Sequence, residues 1–317
     1  MSAVTRAHWA EAFAARARAY WTEARTAALA DGKRLLLPPA EAAPLLRALG
    51  LLHRDASMPP TQARKYFQVN HMVALMQPGL RALRDRGDTV RLLDAGCGRS
   101  YLSLLLAWCA RHRWGYRLEI LGVDRDPALI DTCARRAADA GLDDVARFEA
   151  AALDRLEVTE RVDGVIALHA CDTATCDAIA LGVRLDAALI AVAPCCQAEL
   201  ARGWAALAAA GAAGAFAPVW RSPHLRRETA ADVTDAMRAA LLRGAGYDVA
   251  SIEFVPAEHT RKNTLIRATR AGAPAAAPAA DGEGARPAAA AAARAEYEAL
   301  VAATGGVGLA LASRLAR

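Results

Sequence analysis

Hydrophobic and polar positions change their rhythm once along this chain. Up to about residue 85 they recur at helical spacing. A first alternation of apolar and charged residues begins at His8, Trp9 and Phe13 and continues through Leu29. Pro38 and Pro39 break it, and Pro44, Pro59 and Pro60 break it again. A further amphipathic helix is predicted over residues 61–76, ending before Pro78. From Val90 short apolar runs alternate with helical stretches. Strands are predicted near 90–95, 118–123, 146–151, 163–168 and 187–193, with helices near 100–112, 127–140, 173–183 and 197–211. A helix over 223–244 and closing strands over 247–255 and 263–270 follow.

This alternation predicts a doubly wound α/β fold: a mostly parallel sheet with an antiparallel closing edge, preceded by an N-terminal helical extension. The expected organisation is a helical region at 1–85, an α/β domain at 86–270, an Ala/Pro/Gly-rich linker at 271–288 and a helical tail at 289–317. The tail is expected to be loosely attached.

Composition changes this picture little. The chain has 317 residues, 55% of them hydrophobic, enough for a sizeable core. Its net charge of +5 permits contact with a polyanion without requiring it. No charge-free run of about 18 apolar residues appears, so no membrane span is expected. The first residues include Arg6, His8 and Glu11 and lack the apolar core of a signal peptide, so a cytoplasmic location is expected. Seven cysteines, among them the adjacent Cys195 and Cys196, fit no secreted disulfide framework.

The run from Leu92 to Gly98 carries the first chemical signal. It follows a strand, precedes an apolar helix, and contains Asp94, Gly96 and Gly98. Its glycines permit a tight turn with a ligand against the backbone. Amides at the helix start are expected to favour an anionic group. A nicotinamide dinucleotide site places a third glycine where Tyr101 stands, and a pyrophosphate would be repelled by Asp94. The turn therefore favours S-adenosylmethionine, with Asp94 facing its amino group. Asp124 ends the second strand and is expected to accept the ribose hydroxyls, with Arg125 along the adenine; capping the next helix is the alternative role for Asp124. Asp154, beyond the third strand, is the candidate for the adenine amino group, or else an exposed loop acid.

The fourth strand ends in Leu168, His169, Ala170 and Cys171, and the fifth leads into Pro194, Cys195 and Cys196. In an open α/β sheet these strand ends meet where ligands bind. Leu168 is assigned to the cofactor pocket. His169 is a candidate general base and Cys195 a candidate nucleophile, with Cys171 and Cys196 lining the acceptor. The cysteines also fit a purely structural role as buried thiols. A zinc role is disfavoured because adjacent cysteines serve one tetrahedral ion poorly, and no metal is expected.

These two strand-end motifs resemble one subgroup of class I methyltransferases. The subgroup includes the methyltransferase domain of the eukaryotic glutathione-S-transferase C-terminal-domain-containing protein and is similar to a eukaryotic tRNA ribose methyltransferase family. The resemblance covers about residues 61–270. It implies the fold, S-adenosylmethionine as cofactor, and RNA (rRNA or tRNA) as acceptor and partner. A protein or small-molecule acceptor, or cofactor binding without turnover, are the alternatives. Asp172 stands where the subgroup more often has glycine.

Further candidates lie at both ends of the domain. Arg64, Lys65, Gln68 and His71 share the helix before the first strand, with 64, 68 and 71 on one face. Gln68 is assigned to the cofactor, Arg64 and Lys65 to the substrate. Lys262 and Asn263, between the closing strands, are the remaining substrate candidates.

Overall fold

The structure, a computed structural model, describes residues 3–168, 170, 172–194, 197–253, 263–270 and 285–316. The chain divides into two compact units, Met1–Ala152 and Leu153–Arg317.

The first unit opens with helices α1 (Ala3–Tyr20), α2 (Glu23–Ala30), α3 (Ala43–Ala48) and α4 (Pro60–Arg84). The single helical run expected through Leu29 is broken at residues 21–22. Trp21 is buried there, its indole nitrogen donating to the Ala56 carbonyl at 2.8 Å. Thr22 then caps α2 by accepting the Arg25 amide. Pro44 and Pro60 start helices rather than only ending them, because a first-turn proline gives up no bonded amide. The expected stop before Pro78 is also corrected: α4 runs through it to Arg84. Pro78 and Ala74, whose carbonyl loses its helical partner, are both exposed, so water can satisfy the orphan group. The buried face of Val73, Met76, Leu80 and Leu83 stays continuous across the site.

Strands β1 (Thr89–Ala95), β2 (Arg117–Asp124) and β3 (Ala146–Ala150) pair in parallel. Helix α5 (Tyr101–Cys109) connects the first two and α6 (Pro127–Asp139) the next two. Beyond α5 a π-helical turn carries the chain to Trp114.

The second unit holds β4 (Gly164–Leu168), α7 (Thr173–Arg184), β5 (Leu189–Ala193), α8 (Ala198–Ala209), α9 (Ala217–Arg221), α10 (Pro223–Gly244), β6 (Tyr247–Glu253) and β7 (Thr264–Arg270). Strands β4 and β5 are parallel, and β7 is antiparallel to both β5 and β6. Every residue of β5 is buried, which is why it reads as an unbroken apolar run. The strand order of the seven-stranded sheet is β3-β2-β1-β4-β5-β7-β6, the doubly wound arrangement expected.

The tail forms α11 (Ala285–Ala303) and α12 (Ala310–Leu315). It is not loose. Ala293, Leu309 and Leu311 are buried, and Arg243 of α10 pairs with Glu296 at 2.7 Å. The Ala310 amide donates to Glu199 at 2.7 Å, and Arg314 pairs with Asp177 of α7 at 2.9 Å. The repetitive alanine composition that suggested a solvated tail instead supplies a smooth face for packing against α10. Residues 271–284 of the expected linker lie outside the described residues.

Candidate functional site

Strand β1 leads into the turn with its last four residues buried. Asp94 is 5% exposed, and its described partner is the Ser103 hydroxyl, which donates to its Oδ2. Burial is the main cause that pushes its carboxyl up to about 7, with the Asp124 charge adding to it and the Ser103 bond opposing it. Gly96 and Gly98 follow with φ of 76° and 50°, in the left-handed region that glycine alone enters without strain. A Cβ at Gly98 would meet nothing within 4 Å, so open space lies against the backbone there.

The turn is closed by its own hydrogen bonds. Its amides are already engaged: Gly96 and Cys97 donate to the Val123 carbonyl at 2.8 and 2.9 Å, and Ser100 donates to Cys97 at 2.7 Å. The Gly98 amide donates to Asp124 Oδ2 at 2.9 Å. The amides of the turn before α5 are therefore held by the protein itself. Two carboxylates converge there, which suits a cation and repels a pyrophosphate.

Asp124 binds a second amide, that of Asp126, through Oδ1 at 3.1 Å. Each oxygen keeps a lone pair for a hydroxyl donor. The capping role left open for Asp124 belongs to Asp126, which accepts the Ala128 amide at 2.9 Å. Arg125 is exposed beside it.

Three residues at this turn escaped the sequence reading. Ser103 holds Asp94. Ser100 is buried, and its hydroxyl has no partner among the described residues. Cys133 donates to the Gly98 carbonyl at 3.2 Å, locking α6 to the turn. Ser103, three residues after Ser100, had a readable signal: a polar residue in the apolar stretch of α5.

On α4, Arg64, Gln68 and His71 all reach solvent, as their shared face predicts. Lys65 departs from that face. Its ammonium lies 3.7 Å from the centre of the Tyr101 ring. Tyr101, standing at the would-be third glycine, donates its hydroxyl to the Leu49 carbonyl at 2.9 Å.

In the second unit Leu168 ends β4 half-buried, and Asp154 is exposed in a short 3-10 turn. Asn263 donates to Glu253 at 2.9 Å across the ends of β6 and β7. His169, Cys171, Cys195, Cys196 and Lys262 lie outside the described residues.

The residues flanking the two strand-end motifs are described, and one network ties them. Asp172 has φ 52° and ψ −114°, a conformation for which glycine is the usual occupant. Its side chain offsets that strain: Oδ1 accepts the Glu199 amide at 2.9 Å and Oδ2 pairs with Arg202 at 2.7 Å. The fully buried Arg238 donates to the Asp172 carbonyl at 2.9 Å and to Asp235 at 3.0 Å. Asp235 in turn accepts from Gln197, the residue after the paired cysteines, at 3.0 Å. Burial pushes the Asp235 carboxyl up, against the pull of Arg238 and Gln197. Helix α10 thus grips the loop after β4 and the loop after β5 through one arginine and one carboxylate.

The donor set fits S-adenosylmethionine. A buried carboxylate with no cation among the described residues, an orphaned buried hydroxyl and open space at Gly98 are complementary to an ammonium-bearing amino acid, and Asp124 to a ribose.

A family model described as a methyltransferase domain matches residues 64–203. Among solved structures, the chain is similar to a geranyl diphosphate methyltransferase in complex with GPP and sinefungin, at 14% identity over 77% of this chain and 98% of that one, TM-score 0.41. It is also similar to the magnesium protoporphyrin IX methyltransferase of Synechocystis PCC 6803 with bound SAM, at 16% identity over 72% and 90%, TM-score 0.40. It spans 47% of a structure attributed to a sarcosine dimethylglycine methyltransferase of Galdieria sulphuraria, at 13% identity over 43% of this chain, TM-score 0.33. No curated protein sequence matches. The matched segment, residues 64–203, is similar to a methyltransferase domain, and the sheet order and the acidic glycine turn agree with that likeness.

Proposed function

We propose that the protein transfers a methyl group from S-adenosylmethionine to RNA, an rRNA or tRNA, in the cytoplasm. The observation that carries the methyl-transfer part is Asp94: a buried carboxylate at the end of β1 with one hydroxyl partner and no cation among the described residues.

The residues divide the work as follows. Asp94 holds the amino group of the donor and is kept in place by Ser103. Gly96 and Gly98 keep side chains out of the space beside the turn. Asp124 takes the ribose hydroxyls while anchoring the Gly98 amide, so ribose binding and turn shape are set by one side chain. The cofactor supplies an electrophilic methyl on a sulfonium, for which alignment with the acceptor is the main requirement. In the second unit, α10 fixes the loops bearing the His169 and Cys195 motifs through Asp172 and Gln197. His169 is the candidate to take the acceptor's proton.

RNA as acceptor is supported by the net charge of +5, by Arg64 and His71 on the solvent face of α4, and by the strand-end motifs. Incubating the protein with methyl-labelled donor and separate total-RNA and total-protein fractions tests it. Label in RNA is expected; label confined to protein or to small molecules overturns the RNA assignment.

A further inference from the structure

The first unit contains an open cleft of about 520 Å³ that the cofactor site does not use. Its lining comes from α1, α3, α4, α6 and the segment just after the glycine turn. Four cations face it, Arg47, Lys65, Arg99 and Arg136, against a single acid, Asp139. None of the four forms an ion pair among the described residues, although arginines elsewhere on the molecule commonly do.

These cations are positioned rather than scattered. Lys65 and Arg136 both rest on the Tyr101 ring, at 3.7 and 5.1 Å from its centre. Tyr101 is itself fixed to the end of α3 through the Leu49 carbonyl. Arg136 spends one donor on the Arg99 carbonyl at 3.0 Å, and Arg47 one on the Leu52 carbonyl at 3.1 Å. A guanidinium has five donors, so each keeps most of its fork for another acceptor. Uncompensated cations held in place around a polar cleft match closely spaced anionic oxygens, and guanidinium forks match phosphate in particular.

We propose that this cleft binds consecutive backbone phosphates of the RNA acceptor, at nucleotides other than the one methylated. The proposal rests on RNA being the acceptor. It assigns the cleft the register-setting role that phosphate contacts have, leaving choice of the methylated nucleotide to the strand-end loops. Arg99 follows Gly98 directly, so a strand seated here lies one residue from the cofactor turn.

The test is a fluorescence-anisotropy titration of a single-stranded RNA oligonucleotide at several salt concentrations. It compares the full chain with Arg47→Glu/Arg136→Glu and with the charge-removing Arg47→Gln/Arg136→Gln. Calorimetry with S-adenosylmethionine reports on folding. RNA affinity is expected to fall at least tenfold in the Glu variant and less in the Gln variant, with S-adenosylmethionine affinity retained by the Gln variant. The slope of log affinity against log salt should shrink by about 0.7 for each phosphate that the variant no longer neutralises. Unchanged RNA affinity and salt slope in both variants overturn the cleft and leave the RNA reading standing. If the wild-type chain binds no RNA at any salt, the RNA reading fails and the cleft proposal with it.

Discussion

A carboxylate buried beside a single hydroxyl is poorly placed to stay ionised, and Asp94 shows the consequence in a carboxyl pushed up to about 7. Its folded value lies above its unfolded one. Protonation therefore favours the cofactor-free fold, and that contribution is lost as pH rises toward and through 7. An ammonium at the site reverses the preference. Affinity for S-adenosylmethionine is expected to rise with pH up to about 7, with proton release on binding, which calorimetry in two buffers of different ionisation enthalpy measures. It is expected to fall again above about pH 8 as the free donor's own α-amino group loses its proton. Asp94→Asn should lose at least about tenfold in affinity, the value of roughly 1.4 kcal/mol, and flatten this pH dependence. Asp172 holds a strained backbone with its own side chain. Asp172→Ala keeps the strained backbone and removes the bonds that offset it, so a loss of about 1–3 kcal/mol is expected in chemical denaturation. Asp172→Gly relieves the strain and should cost less than half as much.

At the level of elements, periodicity and apolar runs placed the strands and the helices between them to within a few residues, because most helices bury one apolar face and the central strands are buried on both faces. What it missed depended on chemistry that periodicity does not encode. Pro78 reads as a stop, yet falls on the wet side of α4 where its missing bond costs little. The resemblance marked the loops after β4 and β5 through their cysteines and histidine. The residues that fix those loops, Asp172, Gln197, Asp235 and Arg238, come from three separate stretches and share no spacing. In the cofactor turn Asp94, the glycines and Asp124 were legible as a motif, whereas Ser100 and Cys133 acquire their roles only from the fold. The grip of α10 is testable. Arg238→Met leaves Asp235 buried without its cation, and a loss of about 3–5 kcal/mol is expected. Adding Asp235→Leu should recover much of that stability while leaving methyl transfer impaired, since the loops have lost their anchor. Full recovery of activity in the double variant would remove the anchoring role.

For the whole molecule, the tail is a packed part of the fold. Leu309 and Leu311 are buried, and burial of one such side chain contributes roughly 1.5–3 kcal/mol. Removal of the residues after 284 also uncovers α10, the helix that holds the strand-end loops. The truncated chain is expected to unfold at least about 6 °C lower in a thermal melt. An unchanged melting temperature would show that packing of the tail adds nothing.

Asp94 also bears on turnover. The demethylated product keeps the amino group and ribose of the donor, so neither Asp94 nor Asp124 distinguishes spent from fresh cofactor. The transferred methyl and the positive charge it leaves on the sulfonium separate the two, and neither is a group that Asp94 or Asp124 would hold. The product is therefore expected to compete strongly with the donor, and the pace of methylation to respond to how quickly the surroundings clear it.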